Sequence, residues 1–164
     1  MIIMGSVVIG ISDMNVVKGE DSIITYALGS CVGVALYDST RKIAGLAHIL
    51  MPSSADIRDA NLNVMKYADL AVPELVRRME RAGSSPMSMV AKLAGGAQMF
   101  NMSNASPHFN IGSRNAAMAQ EMLQKLRIRL IAQDVGENYG RTVEIFAATG
   151  IYRIKAIAKG IKDI

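Results

Sequence analysis

The feature that most constrains this chain is a change of hydrophobic period along it. Residues 6–9, 22–26, 31–37 and 42–50 are short runs rich in Val, Ile and Leu, separated by glycine or by Asp-Ser-Thr, which is how strands and tight turns read. Between residues 65 and 82 the period becomes helical. Ala68, Ala71, Val72, Leu75, Val76 and Met79 form one stripe, with Arg77, Arg78, Glu80 and Arg81 mostly on the far side. Pro73 falls inside that stripe and removes a backbone donor, so a kink or a helix start nearby is predicted, and Gly83-Ser84-Ser85-Pro86 ends the helix. Ala116, Ala119, Met122, Leu123 and Leu126 mark a second helix. Strands are predicted over residues 87–93, 128–132, 142–147 and 151–157, with Thr149-Gly150 as the hairpin between the last two. Strands interleaved with two long helices predict an α+β or mixed α/β fold in which β-sheets pack against the helices.

Composition narrows the function classes. A length of 164 residues predicts one domain spanning residues 1–164, and 51% hydrophobic residues with a mean hydropathy of +0.24 exclude a disordered chain. The net charge of +4 is spread over single or paired basic residues, aromatics are 5%, and Trp is absent, so the clustered basic face of a nucleic-acid binder is not present. No stretch supplies the ~20 apolar residues that span a bilayer. Residues 22–37 contain Gly29, Ser30 and Gly33, and residues 93–113 are broken by Gln98, Asn101, Asn104 and Pro107. The N-terminus lacks the positive region of a secretory signal, so a cytoplasmic location is expected. Cys31 is the single cysteine, which excludes an internal disulfide; with only His48 and His108 beside it, it completes no zinc cage. No metal or cofactor is expected.

Asp38-Ser39-Thr40-Arg41 predicts a hairpin turn, and counting outward from residues 39 and 40 sets position 31 opposite position 48. Cys31 follows Gly29-Ser30 where a turn enters a strand. One reading makes it an exposed nucleophile flanked by backbone N–H groups that stabilise an oxyanion; the other makes it a small buried hydrophobe. His48, in Leu46-Ala47-His48-Ile49-Leu50, reads equally as a hydrogen-bonded core histidine. If the two meet, a thiol of pKa about 8.5 gives its proton to the imidazole, and a thiolate–imidazolium pair at neutral pH can run acyl transfer. Thr25 is placed to hold the ring through its hydroxyl, although threonine in a strand also serves β-propensity. Gly95-Gly96 lacks the Lys-Ser/Thr of a phosphate loop and reads as a turn or packing device. Residues 110–115 read as the N-cap and first turn of the second helix, His108 as a surface loop residue, and the 12 methionines mostly as core filler.

Six motifs in order resemble the chemoreceptor glutamine deamidases, the CheD family, over nearly the whole chain. They are Leu28-Gly29-Ser30-Cys31; His48 with Leu50-Met51-Pro52; Lys66-Tyr67-Ala68-Asp69; Lys92-Leu93-Ala94-Gly95-Gly96-Ala97 with Met99-Phe100; residues 110–115; and residues 134–141. The resemblance implies Cys31 as nucleophile, His48 as general base and Thr25 as the residue orienting His48. It implies a protein-glutamine glutaminase that converts selected glutamines on the cytoplasmic domain of methyl-accepting chemotaxis receptors to glutamate, releasing ammonia through a thioester. It further implies hydrolysis of glutamyl methyl esters, a regulatory complex with the phosphatase CheC, and a fold like the catalytic domain of cytotoxic necrotizing factor toxins. Two positions depart from the family pattern: Ala27 and Glu137 stand where glycine is frequent. A regulatory binding module for CheC with little catalysis is one rival reading. A thiol hydrolase of a small amide, which would want a deep pocket at Cys31, is the other.

Overall fold

The structure, a computed structural model, describes residues 5–100 and 110–164. His108 therefore lies outside the described residues. The strands are β1 (Ser6–Ile9), β2 (Asp13–Lys18), β3 (Ser22–Leu28), β4 (Val32–Asp38), β5 (Ile43–Ile49), β6 (Met89–Gly95), β7 (Arg129–Val135), β8 (Arg141–Phe146), β9 (Tyr152–Ala156) and β10 (Gly160–Asp163). The helices are α1 (Ala68–Arg81) and α2 (Ile111–Lys125). Two five-stranded sheets form, in the orders β1-β3-β8-β9-β10 and β2-β5-β4-β6-β7.

Neighbouring residues of β4 enter different cores because side chains alternate across a strand. Val34 and Leu36 pack with Leu75 and Met79 of α1 and Leu123 of α2, whereas Ala35 and Tyr37 pack with Ile23, Leu28, Val143 and Ile145 of the first sheet. The second sheet is thus a middle layer, helices on one face and the first sheet on the other. Every residue of β4 and β5 is buried, which is why both strands read as continuous apolar runs. The parallel pairing of β6 with β7 needs a crossover, and α2 supplies it. The expectation of sheets packed against two helices is met. No helix among the described residues is long and apolar enough to cross a membrane.

Differences from the sequence reading have physical causes. β2 carries its buried residues, Met14 and Val17, three apart, and β10 is exposed throughout, so neither shows the period-two signal. Pro73 neither starts nor ends α1; it is preceded by five helical residues, and its missing N–H leaves only the Asp69 carbonyl without an intrahelical donor. The hairpin turn is wider than predicted. Asp38 pairs with Ile43, so Gly33 rather than Cys31 stands opposite His48. Asp38 sets this register: its fully buried carboxylate accepts from the N–H groups of Thr40 and Arg41, each at 3.1 Å, from Ser84 Oγ at 2.6 Å and from Arg41 Nη1 at 3.0 Å. The offset is two residues, an even number, so Cys31 and His48 still share a face of the sheet.

Candidate active site

Thr25, Cys31 and His48 all face the space between the two sheets. Thr25 stands on β3 of the first sheet, His48 on β5 of the second, and Cys31 immediately before β4. Thr25 and His48 meet there, and a local bend of the chain brings Cys31 to the same face. β3 bulges between Thr25 and Leu28, with Ala27 in the left-handed region at φ +62°, and the chain then turns through Gly29 and Ser30 into the neighbouring sheet.

His48 is fully buried, and its Nδ1 lies 2.7 Å from Thr25 Oγ1. Thr25 donates its one hydroxyl hydrogen to the Ile9 carbonyl at 2.9 Å. The hydroxyl has no second hydrogen to give, so Nδ1–H must donate to Thr25, and the basic lone pair is on Nε2. That Nε2 is buried and has no hydrogen-bond partner. Threonine and the Ile9 carbonyl together therefore fix both the tautomer and the plane of the ring.

Cys31 is buried, 6% exposed, not the exposed strand-start residue one sequence reading described. Burial pushes its thiol pKa up, and its own backbone N–H, directed at the sulfur, offsets part of that rise. Burial likewise lowers His48 from 6.5 to about 4. Both groups therefore favour their neutral forms, which opposes the resting thiolate–imidazolium pair expected from the sequence. Among the described residues no cluster of acidic, cysteine or histidine side chains could hold a metal ion.

Gly95 and Gly96 act in packing. Both have positive φ, at +102° and +64°, and a Cβ on Gly95 would overlap the Cys31 carbonyl. Gly96 N–H donates to that same carbonyl at 2.8 Å, tying the end of β6 to the cysteine. Met99, partly exposed, lies with its side chain over Gly29, and Phe100 beside it is exposed. A cavity of about 380 Å³ opens near the start of α2, between Gly96, Gln98, Gln120 and Glu137, and none of Thr25, Cys31 or His48 lines it.

Asn110 accepts from Ser113 N–H at 3.0 Å as the N-cap of α2, as the sequence predicts. Asn115 lies further in, fully buried, and donates to the carbonyls of Ser30 at 2.9 Å and Leu50 at 3.0 Å. Sequence reasoning gave it to the first turn of the helix. The signal for a site role was its place in line with Ala119 and Leu123 on the apolar stripe, where a polar side chain needs partners.

The model of the family described as CheD chemotactic sensory transduction matches residues 50–156. A protein of Lachnoclostridium phytofermentans named "Probable chemoreceptor glutamine deamidase CheD" is 45% identical over 98% of this chain and 100% of its own length. The chain is a member of the CheD family. A Clostridium botulinum protein of the same name is 46% identical over 95% of this chain and 96% of its own. The CheD model begins two residues after His48, and the alignments to these relatives, at 98% and 95% of this chain, extend over the cysteine-bearing segment as well. A solved structure, the hypothetical protein YfiH of Bacillus licheniformis, aligns at a TM-score of 0.49 and 15% identity, covering 74% of this chain and 50% of that one.

Proposed function

We propose that the protein is a chemoreceptor glutamine deamidase in which Cys31 is the nucleophile, His48 the general base and Thr25 the residue that holds His48. The observation that carries the mechanism is the 2.7 Å contact of Thr25 with His48 Nδ1 together with an unpartnered Nε2 on the face that holds Cys31. Cys31 Sγ attacks the carboxamide carbon of a glutamine side chain while its proton passes to His48 Nε2. The neutral resting state means that charge separates only as the sulfur–carbon bond forms. The tetrahedral oxyanion collapses, Nε2 returns the proton to the leaving nitrogen, and ammonia departs to leave a thioester. Water, deprotonated by the neutral ring, then adds to the thioester carbon; expulsion of the sulfur gives glutamate and restores the thiol.

The substrate is a side chain on a folded receptor helix. Support comes from Met99 and Phe100, which offer exposed apolar surface beside the cysteine turn. The 164 residues act as one cytoplasmic domain, and the two-sheet sandwich with a cysteine at a strand start is the arrangement we take to be shared with cytotoxic necrotizing factor toxins. A receptor-like helix presented by CheC would compete for the same mouth.

Incubating the protein with a chemoreceptor cytoplasmic fragment and mapping peptides by mass tests this reading. Discrete glutamines should become glutamates, and Cys31→Ala should abolish the conversion with the fold intact. An unmodified receptor that still binds the protein would favour the regulatory module instead.

A further inference from the structure

We propose that Asn115 is a positioning residue for the reaction: its carboxamide locks the peptide group that carries the Cys31 N–H. This rests on the reading of Cys31 as nucleophile. Both Nδ2 hydrogens are used, one on the Ser30 carbonyl and one on the Leu50 carbonyl. These carbonyls belong to the two segments that matter, since Ser30 precedes Cys31 and Leu50 lies two residues beyond His48. A planar NH2 group therefore ties the nucleophile's strand to the base's strand at a fixed angle.

The consequence for Cys31 follows from peptide geometry. The Ser30–Cys31 peptide is trans, so the Ser30 C=O and the Cys31 N–H point in opposite directions within one plane. Holding the Ser30 carbonyl on Asn115 therefore fixes the direction of the Cys31 N–H, the backbone group that acts on the thiol. The Cys31 N–H is the donor we assign to an oxyanion on the carbon bonded to Sγ, and such a donor stabilises the transition state only if its direction is set beforehand.

Two features separate this role from a simple helix tether. The start of α2 is already held by backbone contact with the loop after β6, because a Cβ on Gly112 would overlap the carbonyls of Gly96 and Ala97. And Asn115 Oδ1 is buried with no partner, an arrangement that lowers stability and that an apolar residue would avoid. What the side chain supplies is its two donors.

The test compares wild type, Asn115→Ala and Asn115→Ser. Both variants should lose about 10²-fold in kcat on the receptor fragment with KM changed less than about twofold. The pH midpoint of Cys31 alkylation by iodoacetamide, which needs no receptor, should move upward in both. Variants that melt earlier but keep the wild-type kcat and alkylation midpoint would overturn the proposal and leave the nucleophile assignment standing, whereas activity surviving in Cys31→Ala would overturn that assignment itself. Should neither variant fold, the wild-type protein decides by nuclear magnetic resonance. The Asn115 side-chain NH2 protons should exchange slowly and shift when Cys31 is alkylated; signals unmoved by alkylation would refute the coupling.

Discussion

His48 meets two requirements that conflict. A base must be able to take a proton, yet burial holds this ring neutral down to about pH 4, and Thr25 satisfies Nδ1 while the basic Nε2 is left buried without a partner. The conflict has a thermodynamic signature. An unfolded histidine titrates near 6.5, so as pH falls below that value the unfolded state takes up a proton that the folded state refuses. Stability is therefore full above about pH 6.5 and is lost toward pH 4 at about 1.4 kcal/mol per pH unit. Urea melts at pH 7, 6 and 5 should show this slope, and the difference between wild type and His48→Gln isolates it from the carboxylates that titrate in the same direction. Equal slopes for the two proteins would show that the ring is not held neutral. At the same scale, Ala27 and Glu137 are the two departures from the family's glycines, and both sit at positive φ, +62° and +60°. A left-handed alanine is strained by about 1–2 kcal/mol, and glycine returns part of that through unfolded-chain entropy. Ala27→Gly should accordingly raise stability by roughly 0.5–1 kcal/mol, read as a higher melting temperature, with activity kept.

Among the elements, the hairpin of β4 and β5 decides where the cysteine and histidine face, and Asp38 decides the hairpin. Replacing Asp38 with Ala would leave the Ser84 hydroxyl and the turn N–H groups without their acceptor, so a loss of about 2–4 kcal/mol in chemical denaturation is expected. Activity of the folded fraction should fall as well if the register slips; an active, equally stable variant would show that packing alone sets it. The sequence carried much of this level. β4 and β5 are visible as continuous apolar runs because both their faces are buried, and β3, β8 and the stripes of both helices because burial on a fixed face imposes a period. β10 was illegible because its burial is nil, and β2 because its two buried residues do not alternate. The two-residue error in the turn arose because a loop's length depends on side-chain hydrogen bonds such as those of Asp38, which no hydrophobic period encodes. Thr25, Cys31 and His48 were singled out despite that error, since an even offset preserves the face. Asn115 was missed because its partners, the carbonyls of Ser30 and Leu50, are backbone groups brought near by folding.

For the whole molecule, the three layers bury the second sheet on both faces and leave the cysteine between sheets, with the protonated thiol as its resting state. The sulfur's most familiar hazard in a cell is chemical damage. Peroxide reacts with thiolates, and the first step of the oxidation ladder, sulfenic acid, requires both the anion and access. A sulfur 6% exposed and held as the thiol offers neither in the resting protein. Treated with peroxide at neutral pH and then mapped by mass, Cys31 should remain reduced far longer than a model thiol, and receptor bound at the mouth should not hasten its loss. Oxidation as fast as that of free cysteine would mean that the sheets open often enough to bare the sulfur. With one cysteine in the chain and no second thiol to form a rescuing disulfide, burial is the protection the fold itself can provide against irreversible inactivation.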